Sequence, residues 1–299
     1  MSSVLLDLSN GFADAVEGAG RSVVSVNEGG RAGVSGTVWR DGLIVTAEHT
    51  IRDERELTIG LPAGGSSSAA VIGRDASTDI ALLRLNSDSP VVTAEFADAG
   101  QLRVGQFVMA VGRRPGQGLT ASHGIISTLG GAWRTWRGGR IDQSFRLDLL
   151  PFTGFSGGPL IDVQGRVIGI NTSGPRQSVV AIPTATVNGV VDHLLTRGKV
   201  ARGFLGIALQ PVKLTNVPAS SGGTARGLLV VMVEQGGPAD TGGLTVGDIV
   251  LAVGGKSLIH SADLQEVLDP EQVGKTLNLR VLRGGQVKEL ALTIAERQE

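Results

Sequence analysis

Gly154-Phe155-Ser156-Gly157-Gly158-Pro159-Leu160 places one serine between glycines in a chain of 299 residues. Glycine adopts the positive backbone angles of tight turns, so such a turn can present one hydroxyl and several free N–H groups at one point. Acyl transfer needs this combination, because fixed N–H donors stabilise the negative charge that develops on the attacked carbonyl oxygen. We therefore predict Ser156 as a nucleophile, with the N–H groups of Gly154 and Ser156 as its oxyanion hole. A glycine-rich turn between two strands is the alternative.

A serine nucleophile requires a base that takes its proton and a carboxylate that orients the base. His49 follows the apolar run Leu43–Ala47 and is the candidate base, with a surface histidine as the alternative. Asp79 stands before the apolar run Ile80–Leu85 and is the candidate carboxylate, because an unpaired charge there would be costly to bury. An aspartate in a turn before a strand is the alternative.

The chain order His49, Asp79, Ser156 is the chymotrypsin order, and the flanking residues resemble the HtrA (Deg) family of trypsin-like serine proteases. Thr46–His49 resembles the histidine box of that family, and Asp75–Ala81 resembles its aspartate box. Gly154–Leu160, followed by Gly165–Thr172, resembles its serine box. The resemblance covers nearly the whole chain. It implies a mainly β protein with two six-stranded antiparallel barrels of the chymotrypsin type, followed by a small α+β PDZ domain.

Composition independently favours strands. The chain has 45 glycines and 3% aromatic residues, with many short Val/Ile/Leu runs between turn residues. Its length suits two domains. One helix is predicted over Thr186–Arg197, with Gly198 as its end, so the expected domains are a protease domain at 1–198, including an N-terminal helix, and a PDZ domain at 203–297.

The second domain begins with Gly203, Phe204, Leu205 and Gly206, a glycine-bounded apolar loop before a strand. The resemblance to PDZ domains implies that this loop binds a terminal carboxylate. A peptide C-terminus would then add a strand in a groove beside a helix at Ser261–Leu268. An ordinary β domain with a glycine turn is the alternative.

Near the N-terminus, Val4, Leu5, Leu8, Phe12 and Val16 recur at helical spacing. This apolar stripe packs either on its own domain or, as the family resemblance implies, against a neighbouring subunit of a homotrimer.

Specificity is predicted from Leu150, six residues before Ser156, where trypsin-like cleavage after Lys or Arg would need an acid. We expect Leu150, Phe152 and Val180 to line a pocket for small or medium aliphatic side chains. Phe155 stands where the family carries Asn. Its ring either locks the loop by packing or holds the Thr153–Gly154 peptide in a flipped state that removes one oxyanion donor.

The stretch Leu129–Arg140 lies where the family carries the loop that communicates between the PDZ domain and the active site. It contains two tryptophans and three arginines on glycine hinges. Stacking of nucleic-acid bases and a solvated loop at a subunit contact are the alternatives. The segment between Val26 and Val34 is short, so we expect no long inhibitory insert there.

The formal net charge is −1 and the pI is about 6.4, which disfavours nucleic acid as a partner. The chain has no cysteine, and its histidines suggest neither a metal site nor a cofactor. No signal peptide or run of about eighteen apolar residues is apparent, so we expect no membrane span. A cytoplasmic location is predicted for the chain as given, or a periplasmic or extracytoplasmic one if a leader has been removed.

Together these features predict a serine endopeptidase that acts on unfolded or misfolded polypeptides in protein quality control, with a regulatory PDZ domain. The alternative is a catalytically weak or inactive protease-like scaffold that captures peptides or acts as a chaperone.

Overall fold

The computed structural model describes residues 3–27, 33–52, 57–86, 90–135, 137–150, 152–174, 179–214, 226–260, 263–264, 267–269 and 272–296. The chain divides into two compact units, Met1–Val200 and Ala201–Glu299. Residues 28–32, within the segment predicted to lack an inhibitory insert, lie outside the described residues.

The first sheet of the N-terminal unit closes into a barrel with the strand order β1-β2-β3-β6-β5-β4. Its strands are β1 Val23–Asn27, β2 Val34–Arg40, β3 Leu43–Ala47, β4 Leu57–Gly60, β5 Ser66–Asp75 and β6 Ile80–Leu85. Every residue of β3 is buried, because this strand is covered on both faces. Its apolar run therefore lies in the middle of the unit and ends two residues before His49.

The second sheet has six strands in the order β11-β8-β7-β12-β13-β14 and is nearly closed, with edge strands β11 and β14 side by side. Its strands are β7 Phe107–Arg114, β8 Gly118–Gly130, β11 Ser144–Leu147, β12 Pro159–Ile161, β13 Val167–Ser173 and β14 Val179–Pro183. A two-stranded ribbon, β9 Trp133–Arg134 with β10 Arg140–Ile141, lies between β8 and β11 in the chain. One closed and one nearly closed barrel-like sheet confirm the predicted fold class.

The described residues of this unit also form the α-helices α1, Val4–Gly20, and α2, Thr184–Arg197. The predicted second helix is confirmed, and Gly198 ends it with a left-handed φ of 69°. Helix α1 divides into two parts. Its C-terminal half buries Ala15 and Ala19 against the barrels, whereas Val4 and Leu5 are 82% and 76% exposed.

The C-terminal unit contains a six-stranded sheet, in which five strands follow the order β16-β17-β18-β20-β21 and the short β19 pairs with β18. The strands β15 and β22 form a separate pair. Its elements are β15 Gly203–Phe204, β16 Ile207–Lys213, β17 Arg226–Val233, helix α3 Pro238–Thr241, β18 Ile249–Val253, β19 Lys256–Ser257, β20 Thr276–Arg283, β21 Gln286–Thr293 and β22 Ala295–Glu296. Of the helix predicted at Ser261–Leu268, residues 261, 262, 265 and 266 lie outside the described residues.

Within the described parts of the chain, no helix combines the length and hydropathy needed to cross a membrane.

Candidate active site

The register of β3 and β6 brings His49 and Asp79 together. Ala47 pairs with Ile80, so the residues that follow β3 meet those that precede β6. His49 lies in a 3₁₀ turn, Glu48–Thr50. Its backbone N–H donates to Oδ1 of Asp79 at 2.8 Å, and its ring Nδ1 lies 2.8 Å from Oδ2 and 3.0 Å from Oδ1. Asp79 therefore fixes both the backbone and the ring of the predicted base.

Asp79 has a φ of 62°, and it is the one non-glycine residue with a positive φ in the part of the chain that the structure describes. Aspartate tolerates this left-handed conformation better than most residues, and strain of this kind clusters at functional sites. A third residue holds the carboxylate: the hydroxyl of Thr172, on β13 of the second sheet, donates to Oδ2 of Asp79.

These contacts set the charge states of the pair. Burial favours the neutral carboxyl, but hydrogen bonds from the His49 ring, Thr172 and the His49 N–H outweigh it, and the pKa of Asp79 lies below its ordinary value. The hydrogen bond to Asp79 raises the pKa of His49, with the charges of Asp79 and Glu48 adding to that effect and burial opposing it. The pair therefore stabilises an imidazolium, the form that a general base becomes after it takes a proton.

The loop that carries Ser156 is anchored to both sheets. Gly157 donates its N–H to the carbonyl of Asn171 at 2.9 Å, and Ser35 of β2 donates its N–H to the carbonyl of Ser156 at 3.1 Å. Gly157 has a φ of 84°, and a Cβ there would lie 2.1 Å from the Ser35 carbonyl oxygen and 3.0 Å from the Ala47 nitrogen. Only glycine permits this approach to the end of β3, so the loop lies against the strand that leads to His49.

The hydroxyl of Ser156 lies 3.5 Å from the hydroxyl of Ser173, at the outer limit of a hydrogen bond. The hydrogen bonds of the described residues do not include one between Ser156 and His49. The structure thus brings His49 and Asp79 into direct contact and places the serine loop beside them without a closed nucleophile–base bond. Catalytic hydrogen bonds often tighten only when substrate is bound.

The predicted oxyanion donors are two backbone N–H groups of the serine loop. The N–H groups of Gly154 and Ser156 have no hydrogen-bond partner among the residues that the structure describes. Gly154 has a φ of 99°, and its carbonyl oxygen accepts a hydrogen bond from the Ser35 hydroxyl at 2.6 Å. This contact fixes the peptide that follows Gly154.

Phe155 is 4% exposed and packs in the core of the second sheet with Leu160 and Ile168. Its ring meets that of Phe152 edge-on, with the centroids 5.7 Å apart. This burial supports the interpretation that Phe155 locks the serine loop by packing.

The predicted pocket residues lie in different settings. Leu150 and Phe152 are 70% and 56% exposed, whereas Val180 is half-buried on β14 and pairs with Thr172. Their joint role as a substrate pocket stays a prediction.

Sequence reasoning gave no role to an ion pair beside His49. Glu48 is 9% exposed, and Nη2 of Arg74, on β5, lies 2.6 Å from its Oε1. The same guanidinium donates to the carbonyl of Ile51, so it holds the chain on both sides of His49. The sequence signal for this ion pair is Glu48 itself, a charged residue directly after the buried strand β3. A carboxylate at such a position requires a partner.

The stretch Leu129–Arg140, at the position of the family's communicating loop, contacts the turn that carries Asp79. Thr135 donates its hydroxyl to the carbonyl of Ser77 at 2.7 Å, and a Cβ at Gly139 would lie 2.4 Å from the same oxygen. Trp136 lies outside the described residues. No group of three or more His, Cys, Asp or Glu side chains that could hold a metal ion occurs in the described ranges.

In the C-terminal unit, the predicted carboxylate loop turns sharply at Gly206, whose φ is 72°. Leu205 is buried, and its carbonyl and that of Gly206 accept hydrogen bonds from Ala239 and Glu234. The N–H groups of Leu205 and Gly206 have no partner in the described chain. In the same part of the chain, β16 pairs with β17 on one side only, so its other edge can receive a strand.

Comparisons with known proteins agree with both units. Residues 34–170 match the family described as a trypsin-like peptidase domain, and residues 203–294 match the PDZ domain family. The chain is 36% identical over 267 residues to a probable periplasmic serine endoprotease DegP-like of Brucella suis biovar 1, covering 86% of this chain and 51% of the relative. It thus spans about half the length of the curated relatives it matches.

Two solved structures cover nearly all of the chain. A serine endoprotease from Yersinia pestis is 29% identical with a TM-score of 0.78, over 96% of this chain and 98% of that one. The structure described as the HtrA-type protease AlgW with decapeptide has a TM-score of 0.80, and the match covers 96% of this chain and 99% of that one. Because the two sequences are only 24% identical, this likeness supports the fold alone.

Proposed function

Because the chain belongs to the HtrA (Deg) family of trypsin-like serine proteases with a PDZ domain, we propose that it is a serine endopeptidase acting on unfolded or misfolded polypeptides. Ser156 attacks the scissile carbonyl and His49 takes and returns the proton. Asp79 orients the imidazole, and the N–H groups of Gly154 and Ser156 stabilise the oxyanion. We assign these steps to a protease domain at 1–198.

One observation carries this proposal. Thr172 donates to Asp79, and its neighbour Asn171 accepts a hydrogen bond from Gly157, so β13 connects the His49–Asp79 pair to the serine loop. A turn between strands without catalytic function would not require a half-buried carboxylate with three hydrogen-bond donors. Nor would it require two unoccupied N–H groups beside the hydroxyl.

The test is covalent labelling with a fluorophosphonate probe, followed by cleavage of an unfolded protein substrate. We expect labelling of the wild-type chain and none of Ser156→Ala, whose turnover falls by roughly 10⁶-fold because a triad acts as a unit. Labelling of Ser156→Ala at the wild-type rate would contradict the assignment.

A second candidate function follows from the contact between the hydroxyls of Ser156 and Ser173. Because the serine is not hydrogen-bonded to His49 in the described structure, the resting chain is a weak protease or a peptide-binding scaffold until a ligand shifts the loop. Labelling with and without a peptide that has a free C-terminus separates the candidates. A rise in labelling supports a regulated protease, and no labelling in either condition supports the scaffold.

The partners that we propose are unfolded polypeptide at the protease domain and peptide C-termini at a PDZ domain spanning 203–297. The unpaired N–H groups of Leu205 and Gly206 would bind the terminal carboxylate, with Gly203 and Phe204 fixing the loop. We also propose a homotrimer, and a periplasmic location in line with the names of the relatives.

A further inference from the structure

Arg114, the last residue of β7, lies across Gly154 of the serine loop. A Cβ at Gly154 would come within 2.7 Å of both Cγ and Cδ of Arg114 and within 3.3 Å of its Nε. The aliphatic stem of the arginine therefore covers a predicted oxyanion residue, and the guanidinium lies beside it. The missing side chain and positive φ of Gly154 permit this approach.

Arg114 is half-buried, and its guanidinium forms no hydrogen bond or ion pair with any residue in the described ranges. The preceding arginine differs, because Arg113 donates to the carbonyls of Val23 and Gly20 at 2.6 and 2.9 Å. Arg113 thus has a structural role, whereas the charge of Arg114 remains available to a ligand.

The position of Arg114 indicates which part of a substrate it meets. Ser35 donates to the carbonyl of Gly154 at 2.6 Å and accepts a hydrogen bond from the N–H of Arg113 at 2.9 Å. A Cβ at Gly33 would lie 2.4 Å from Cγ of Pro115. The start of β2 and the end of β7 therefore form one flank of the serine loop.

The residues predicted to line the aliphatic pocket, by contrast, lie on β14 and in the segment before the loop. The flank at Arg114 borders β2, and β2 pairs with β3, which leads to His49. If the side chain before the scissile bond fills the predicted pocket, we expect the residues after that bond to continue across this flank. The departing half of the peptide must lie near His49, which protonates it.

We propose that Arg114 is a specificity-determining residue that binds the carboxylate of an aspartate or glutamate one or two positions after the scissile bond. Arginine suits this role because its planar fork matches a carboxylate in two parallel hydrogen bonds. The inference rests on the proposed protease function and adds a substrate class to it: an aliphatic residue before the cut and an acidic one after it.

The test uses the full chain and peptides with one aliphatic cleavage position, followed by Glu, Gln or Lys at each of the next two positions. All peptides carry a C-terminal amide, which prevents capture of a terminal carboxylate by the PDZ domain. We expect kcat/KM to be about threefold to tenfold higher for Glu than for Gln at one position, as for a partly exposed ion pair. Lys should be the poorest substrate.

Arg114→Gln should reduce the Glu-to-Gln ratio to about one, and Arg114→Lys should keep part of it. Arg103→Gln is the matched control, because it removes the same charge at a position just before the first residue of β7, whereas Arg114 is the last residue of that strand. This variant should keep the wild-type Glu-to-Gln ratio. Equal ratios in the wild type and Arg114→Gln would overturn the inference.

Binding separates this inference from the protease assignment. In a Ser156→Ala background, fluorescence anisotropy should show the same preference for the Glu peptide, and Arg114→Gln should remove it. If the wild type cleaves without an acidic preference, the inference fails and the protease function stands. If no peptide is cleaved but the binding preference for Glu depends on Arg114, the carboxylate-binding role of Arg114 is supported and the protease function is contradicted.

Discussion

At the scale of single residues, the site depends on polar side chains that hold Asp79 ionised. Thr172 reaches this carboxylate from the second barrel, while His49 reaches it from the first. The threonine therefore joins two sheets and also stabilises the charge that orients the ring of His49. A hydrogen bond to an ionised group contributes about 1.5–3 kcal/mol, more than one between neutral groups.

Thr172→Val keeps the shape of the side chain and removes this donor. We expect the pKa of Asp79 to rise and kcat to fall roughly tenfold or more, since the lost hydrogen bond stabilised the ionised form. Steady-state kinetics on an unfolded substrate measures the effect. Thr58→Val, at an exposed position of β4, is the control and should be neutral. Wild-type kcat in Thr172→Val would contradict the role assigned to the hydroxyl.

The pH dependence follows from the raised pKa of His49. Only the neutral ring can act as a base, so activity should be lost as the pH falls through that pKa, with the midpoint of kcat/KM above the ordinary value of about 6.5. The charged groups that act on the ring are Asp79 and Glu48, and Arg74 pairs with Glu48.

Arg74→Gln should move this midpoint to higher pH, because the carboxylate of Glu48 would then act on His49 without its counter-charge. The double variant Glu48→Gln/Arg74→Gln removes both charges and should return the midpoint to the wild-type value or below it. The pH–rate profiles of the three chains decide this prediction. An unmoved midpoint in Arg74→Gln would mean that the ion pair only stabilises the fold.

At the scale of elements, the ribbon β9–β10 and its connecting loop support the turn that carries Asp79. Thr135 and Gly139 both contact the carbonyl of Ser77, two residues before Asp79, the proposed catalytic carboxylate. A displacement of this loop would therefore change the left-handed turn at Asp79. This contact gives a physical route by which a sensor loop can change activity.

Gly139→Ala tests that route. The new methyl group would lie 2.4 Å from the Ser77 carbonyl oxygen, so either the loop or the aspartate turn must shift. Overpacking of this kind costs about 1–3 kcal/mol, and we expect a lower unfolding free energy together with a lower kcat. Gly131→Ala is the matched control, because a methyl group there meets nothing within 4 Å. Equal kinetics of the two variants would exclude the route.

The sequence was sufficient to predict elements whose signals are local. Neighbouring residues are enough to predict the buried run of β3 that precedes His49, the glycine-bounded serine loop and the helix ended by Gly198. Contacts between distant segments could not be predicted in this way. Ser35 lies 119 positions from Gly154, and only the pairing of strands brings its hydroxyl to the loop. The same holds for Thr172, because the motif Gly165–Thr172 gives no indication that this hydroxyl contacts Asp79.

At the scale of the whole molecule, the apolar stripe of α1 divides into a half that packs on its own domain and a half that is exposed. Phe12 and Val16 pack against the barrel core, with Ala15 and Ala19 buried beside them. Earlier in the helix, Leu5 and its apolar neighbours remain exposed. Deleting the helix would uncover the core of the unit as well as remove the exposed residues, so substitutions at its beginning are the sharper test of the proposed homotrimer.

Leu5→Glu/Leu8→Glu places two charges on the exposed apolar face without touching the buried half of α1. If this face packs against a neighbouring subunit, burying the charges is costly, and light scattering should show a change from about three chain masses of 30.8 kDa to one. Ser9→Glu/Asn10→Glu adds the same charge at exposed polar positions of the same helix and should leave the trimer intact. If the wild-type protein has the light-scattering mass of a single chain, or if the trimer persists after the leucine substitutions, these residues do not join subunits.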